Sequence, residues 1–339
     1  MQKRDDLMKS KFILLLLVLP LVFSGCSKED KTIKPYISIL ASNLTATNES
    51  NLLIYYYDFE TENVEKVSSI DNFSQYSLAV YSKADNTIYY SQRIENENLR
   101  GDQLFSLNLD TNETKQLTNN IFAINYIIPS KDKVYLLAVT VGDRHLKPMI
   151  YHKDTEELEI LSKDTDLNFE RISYDIKQNH LYASGAYLKE IEKAIDDYNN
   201  AALENPDRIY VSPDYYIYDF SEDFNNPKQL LKTDKTEITA LSAVQGDKKI
   251  FYTHTDGYGK FNYIFDINKN TKIPYSSEIV SQRNFCFLNE DETVFIGEDS
   301  SNLTEYPRGV YLYNSKTNET KLLFSTDDGY ILNFQLLAD

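Results

Sequence analysis

The sequence predicts an all-β chain assembled from one repeated unit, and three observations carry that reading. A nine-residue phrase, LDTNETKQL at 109–117, returns nearly unchanged as SKTNETKLL at 315–323. It is the turn of a strand–turn–strand pattern that recurs along the chain. The last large apolar residues before those turns are Tyr57, Leu107, Tyr151, Tyr218, Phe265 and Tyr313, spaced 50, 44, 67, 47 and 48 residues apart. A second kind of hairpin, such as INYIIPSKDKVYLLAV and TALSAVQGDKKIFYTH, lies between consecutive copies. Four short strands in roughly 45–50 residues is the size of one β-propeller blade. The fold read from the chain is therefore a six-bladed β-propeller over 36-339, with four-stranded antiparallel blades and one helical insertion.

The first element is not part of that fold. Lys9 and Lys11 precede an apolar run from Phe12 to Phe23, followed by Ser24, Gly25 and Cys26. A basic segment, a short apolar core and small residues describe a secretory signal. The run is short of the roughly 20 residues that span a bilayer. VFSGC resembles the lipobox of bacterial lipoproteins, with Phe23 where Leu is usual. The resemblance implies cleavage before Cys26 and a diacylglyceryl group on its sulfur. Residues 1-25 are then a lipoprotein signal peptide and 26-35, a polar stretch, a tether. MKSKFILLLL, starting at Met8, is a better-formed signal than one starting at Met1. The expected location is the outer face of the bacterial cytoplasmic membrane, as in Gram-positive lipoproteins, with the N-terminal lipid as the sole membrane contact. With Cys26 lipidated only Cys286 remains, so no intramolecular disulfide forms. Between Phe285 and Phe287 it reads as a small core residue.

The strands come next. Each hairpin alternates apolar and polar residues around a polar turn, as in QLFSLNLDTNETKQLT. Naming the strands of a blade A to D from the axis outward, the second hairpin type supplies A and B and the first supplies C and D. YISILAS at 36–42 reads as a B strand with no A before it, and YILNFQLLAD at 330–339 as an A strand with no B after it. Together they complete one blade, closing the ring and removing exposed sheet edges.

QLFSLNLDTNETKQLT is similar to the strand–turn–strand of TolB-like six-bladed propellers, which ends in Leu-Thr, and SKDKVYLLAV is similar to their turn before an apolar B strand. The resemblance covers essentially the whole mature chain. Their usual Ser-Pro-Asp-Gly turn is absent, IIPSKDK being the nearest approach. The resemblance implies the fold; propellers host many functions, so it assigns none.

The 67-residue interval holds the insertion, residues 187-213, in a B–C loop. Leu188, Ile191, Ile195, Tyr198 and Ala202 have the spacing of an amphipathic helix. The A–B and C–D turns are short and share one face. The B–C loops are long and varied and share the other, where binding residues usually reside. The arginines fall on that loop face: Arg93, Arg100, Arg144, Arg208 and Arg308 in or beside B–C loops, Arg171 and Arg283 where A strands begin. Arg grips carboxylate and phosphate in fixed geometry, although arginines paired with local acids are an equally good account. Tyr187, Tyr198 and Tyr210 would supply apolar anchors beside Arg208.

Composition limits the partners. The chain of 339 residues has 35 basic against 52 acidic side chains, a net charge of −17. That excludes general nucleic-acid binding, which needs a basic surface. No catalytic or metal-binding sequence motif is found, and no cofactor is expected. His145 and His254 lie toward the loop face and His152 and His180 on the turn face; scattered histidines of this kind are mostly structural or solvated. The expected function is that of a membrane-anchored extracytoplasmic scaffold or sensor binding a protein, peptide or glycan through its loop face. The alternative is a lyase or hydrolase with its site in the central funnel.

Overall fold

The computed structural model of the protein describes residues 34–44, 50–71, 74, 77–95, 100–162, 164, 166–202, 205, 207–221, 223–256, 259–276, 284–297, 308–327 and 329–339. The described chain is all-β apart from one α-helix and a short 3-10 turn. The first sheet has the order β24–β1–β2–β3, so that the last strand, Tyr330–Ala338, lies beside β1 (Pro35–Leu44), with β2 (Ser50–Asp58) and β3 (Val64–Asp71) outside it. The second contains β4 (Ala79–Ser82), β5 (Thr87–Glu95), β6 (Arg100–Asn108) and β7 (Thr114–Gln116). The third contains β8 (Ile121–Pro129), β9 (Lys133–Thr140), β10 (Lys147–His152) and β11 (Leu158–Ile160). The fourth contains β12 (Leu167–Asp175), β13 (His180–Tyr187), β14 (Tyr216–Asp219) and β15 (Lys228–Lys232). The remaining eight strands form two antiparallel meanders. One runs through β16 (Glu237–Val244), β17 (Lys249–Thr255), β18 (Lys260–Asp266) and β19 (Thr271–Pro274). The other runs through β20 (Phe285–Phe287), β21 (Glu292–Ile296), β22 (Val310–Asn314) and β23 (Glu319–Phe324). A single parallel pairing, Val244 with Phe287, joins the two into one sheet.

The repeated phrase has a local cause. Asn108 and Asn314 end β6 and β22, and each side-chain oxygen accepts hydrogen bonds from the amides two and three residues on. Asp58 does the same after β2. Four residues later Glu62, Asn112 and Asn318 turn the chain back with φ of 55°, 56° and 58°, a left-handed conformation that Asn tolerates better than most residues. Asx residue, polar link and left-handed residue form one hairpin device used again and again.

The strands are packed on both faces, which is why their sequences read as near-continuous apolar runs. Successive side chains of a strand point to opposite sides. Ile37, Ile39 and Ala41 therefore pack with Val294, Val310 and Phe324, while Leu40 joins Leu52, Ile54, Tyr81 and Ile88 on the other side. Buried and half-buried polar side chains stitch neighbouring sheets together by accepting main-chain amides. Ser38 accepts from Tyr81 at 2.9 Å, Gln103 from Ile121 at 3.2 Å, Asn168 from Leu146 at 2.9 Å and Ser173 from Ala243 at 2.9 Å. Each bond satisfies an amide that burial would otherwise leave without a partner. The Cys286 thiol, on β20, is pushed well above its ordinary range by burial, in keeping with a core role.

Candidate functional site

The insertion leaves β13 directly as α1 (Leu188–Ala202). Ile191 packs against a cluster containing Tyr182, Tyr215 and Ile217 and roots the first turns of the helix. Beyond that the apolar stripe is only partly covered: Ile195 is 45% exposed. Lys193 and Asp197 pair along the helix at 2.6 Å, and Arg144 reaches Glu192 at 2.9 Å. After the helix the chain returns toward β14. Arg208 donates from Nε to the Tyr198 carbonyl at 2.6 Å and lies over the Tyr198 ring, 4.0 Å from its centroid. A cation near a helix C-terminus is favoured by the helix dipole. Tyr210 meets Tyr198 edge to face at 5.7 Å. Between α1 and the returning chain lies a cavity of about 430 Å³, walled by Ala194, Tyr198 and Ala201 on one side and Arg208, Ile209 and Val211 on the other.

The structure thus brings Tyr198, Arg208 and Tyr210 together and ties Arg144 to the helix. Tyr187 is elsewhere: its ring packs edge to face on Tyr216 at 5.4 Å, because the end of β13 turns it toward the sheet rather than the helix. Arg100, exposed at the start of β6, faces Glu95 at 3.2 Å. Arg93 sits opposite Asp102 in the β5–β6 ladder, with 3.5 Å between guanidinium and carboxylate. Arg308 donates to the Ile331 carbonyl and covers the Tyr330 ring at 4.0 Å. Local partners therefore engage most of these arginines. Cys26 and Arg283 lie outside the described residues.

A second polar site was not legible in the sequence. The leading strands of five meanders, β8, β12, β16, β20 and β24, line a cavity of about 110 Å³. Near it Glu170 is half-buried and accepts from the Tyr215 hydroxyl at 3.1 Å. Burial raises its pKa above the usual carboxylate value, and nearby Glu237 adds to the rise, while Tyr215 and Arg171 oppose it. Arg171 is spent on main-chain carbonyls, donating to Thr239 at 3.1 Å and Glu170 at 2.8 Å. A bulge in β12 between Phe169 and Arg171 gathers these groups, and no spacing rule announces it. His145 bonds Asp143 at 2.6 Å. His254 is ringed by Tyr252, Phe261 and Tyr263, and its pKa is lowered by burial and then by Lys272. No group of three metal-ligating side chains occurs among the described residues.

The sheet architecture is that of a TolB-like β-propeller. No family model matches the chain, and no curated protein sequence does. Solved structures do match. TolB from Acinetobacter baumannii superposes with a TM-score of 0.56 at 14% identity, over 89% of this chain and 66% of that one. A chain of the nidogen/laminin complex superposes with a TM-score of 0.53 at 9% identity, over 89% of this chain and 98% of that one. The chain spans 66% of the length of the TolB chain. At these identities the likeness is one of fold.

Proposed function

We propose that the protein is a closed six-bladed propeller, held at the outer face of a bacterial cytoplasmic membrane by lipid on Cys26, which binds a protein partner through its loop face. Six four-stranded meanders and the pairing of β24 with β1 support the closed ring. The observation that carries the binding reading is the insertion. Among the described residues the one α-helix stands between β13 and β14 beside a groove, with Ile195, Ile209 and Val211 exposed at 45%, 44% and 57%. Exposed apolar side chains grouped around a groove mark interaction sites. The structure of a nidogen/laminin complex includes a chain of similar fold, which is consistent with a protein ligand; a peptide or glycan would use the same face.

Partner capture from envelope extracts tests the reading. Arg208→Ala combined with Tyr210→Ala, and separately a Gly-Ser bridge replacing 188–207, should lose the partner while the cooperative melting transition of the sheets is kept. Lys115→Ala, on the turn face beside Glu156, should keep it. Loss with Lys115→Ala alone would place the working surface on the other face. Cys26→Ala should release the protein from membranes, and a membrane-bound Cys26→Ala protein would exclude the lipid anchor.

A further inference from the structure

Residues 208–212 behave as a strand without a neighbour. Ile209 and Val211 are exposed, while Tyr210 and Ser212 turn inward, the two-residue period of extended chain. Pro213 enforces this at Ser212, since the residue before proline is driven out of the helical region. Among the described residues no main-chain partner meets the amides or carbonyls of Ile209, Tyr210 and Val211. An open strand edge beside a groove is the template for strand addition, in which main-chain bonds supply affinity and alternate side chains supply specificity.

The charges in the groove narrow the occupant. Lys193 and Asp197 neutralise each other at 2.6 Å, and Asp214 is held by Lys232 at 2.7 Å. Among the described residues Glu190, Arg208 and Lys235 are left without an ion pair, two positive and one negative on a strongly acidic protein. Arg208 is stacked and oriented, and among the described residues it uses only Nε, on the Tyr198 carbonyl, so the rest of its fork can take a carboxylate.

We propose that the groove between α1 and residues 208–212 binds an extended segment of a partner protein, apolar at alternate positions and carrying an acidic side chain, added as a strand along Ile209–Val211 with its carboxylate on Arg208. This deepens the loop-face reading and rests on it. The ligand is a chain in strand conformation rather than a helix, a sugar or a basic peptide.

The test is selection from a display library of short random linear peptides on the purified full-length protein, followed by titration of the synthetic winners. Enriched peptides should alternate apolar residues and contain Asp or Glu. Arg208→Glu should weaken them at least about tenfold, the size of one charge-assisted contact, and a peptide with Lys replacing its acid should recover binding to Arg208→Glu. Val211→Pro, which removes one amide, should also weaken binding. If it perturbs the circular dichroism, the charge swap alone decides. No enrichment, apolar residues at helical spacing, basic winners, or winners indifferent to Arg208→Glu would each overturn the proposal. The two readings fail separately. A natural partner lost on replacing 188–207 but kept by Arg208→Glu and Val211→Pro leaves the loop face standing and removes strand addition.

Discussion

Glu170 shows what folding does to a single carboxyl. Burial disfavours its charged form, so its folded pKa lies above the unfolded one. Below the unfolded value both states are protonated and the group is neutral to stability. Between the unfolded and the folded pKa the unfolded state sheds its proton first, so stability falls across that window and levels off once the folded carboxyl has ionised. Glu170→Gln keeps an acceptor for Tyr215 and removes the charge. Its melting temperature should match the parent near pH 4 and exceed it increasingly toward pH 8; a constant difference across that range would contradict the assignment. Asp102 is a carboxyl held by its partners. It is fully buried, faces Arg93 and accepts from the Ser74 hydroxyl at 3.0 Å. Asp102→Ala leaves the 15%-exposed Arg93 guanidinium only Glu95 at 3.8 Å, and removing one partner of a buried pair costs up to about 3–5 kcal/mol. Denaturant unfolding should show that loss. Arg93 is therefore a structural residue, a role its place beside a loop did not reveal.

Individual hairpins were readable from alternation in the strands and, after Asp58, Asn108, Asp266 and Asn314, from an Asx residue with a left-handed partner four residues on. The helix at 188–202 was readable from its apolar spacing. Contacts that depend on how an element is aimed were not. Tyr187 lies one residue before α1, yet meets Tyr216 of the neighbouring strand edge to face. Glu170 meets Tyr215 only because β12 bulges and the insertion returns over it. At the same bulge the β12–β13 pair closes tightly: Gly185 pairs with Phe169, and a Cβ on Gly185 would fall on the Asn168 carbonyl and 2.7 Å from the Phe169 Cα. The obstacle is backbone, which cannot rotate away. Gly185→Ala should destabilise by about 1–3 kcal/mol or more, as overpacking does, and should disturb the root of α1 with it. A native melting curve would show that the two strands stand further apart.

At the scale of the whole molecule the feature that matters is the pairing of β24 with β1, which the orphan strand patterns at 36–42 and 330–339 had signalled. Blade count and closure follow from it in the reading proposed above. Deleting 331–339 removes β24 from Ile331 onward, bares the ladder edge of β1 and uncovers Ile37 and Ile39, both fully buried. Stranded amides and apolar surface are each costly. The truncated protein should lose its cooperative melting transition or melt far below the parent, and an unchanged transition would show that closure contributes nothing.

The same pairing sets how the molecule bears a mechanical load. Lys34 enters β1 beside the C-terminal Asp339, whose amide bonds the Lys34 carbonyl at 3.4 Å. From there β1 is flanked on both sides, in register over nine pairs with β2 and eight with β24. On the lipid-anchor proposal, tension applied ahead of Lys34 would pull an interior strand along its own length, and many hydrogen bonds would resist together in shear. An edge strand pulled the other way would unzip them singly. Were the protein held at this end as proposed, a pull on its loop face would load the first strand without peeling it away.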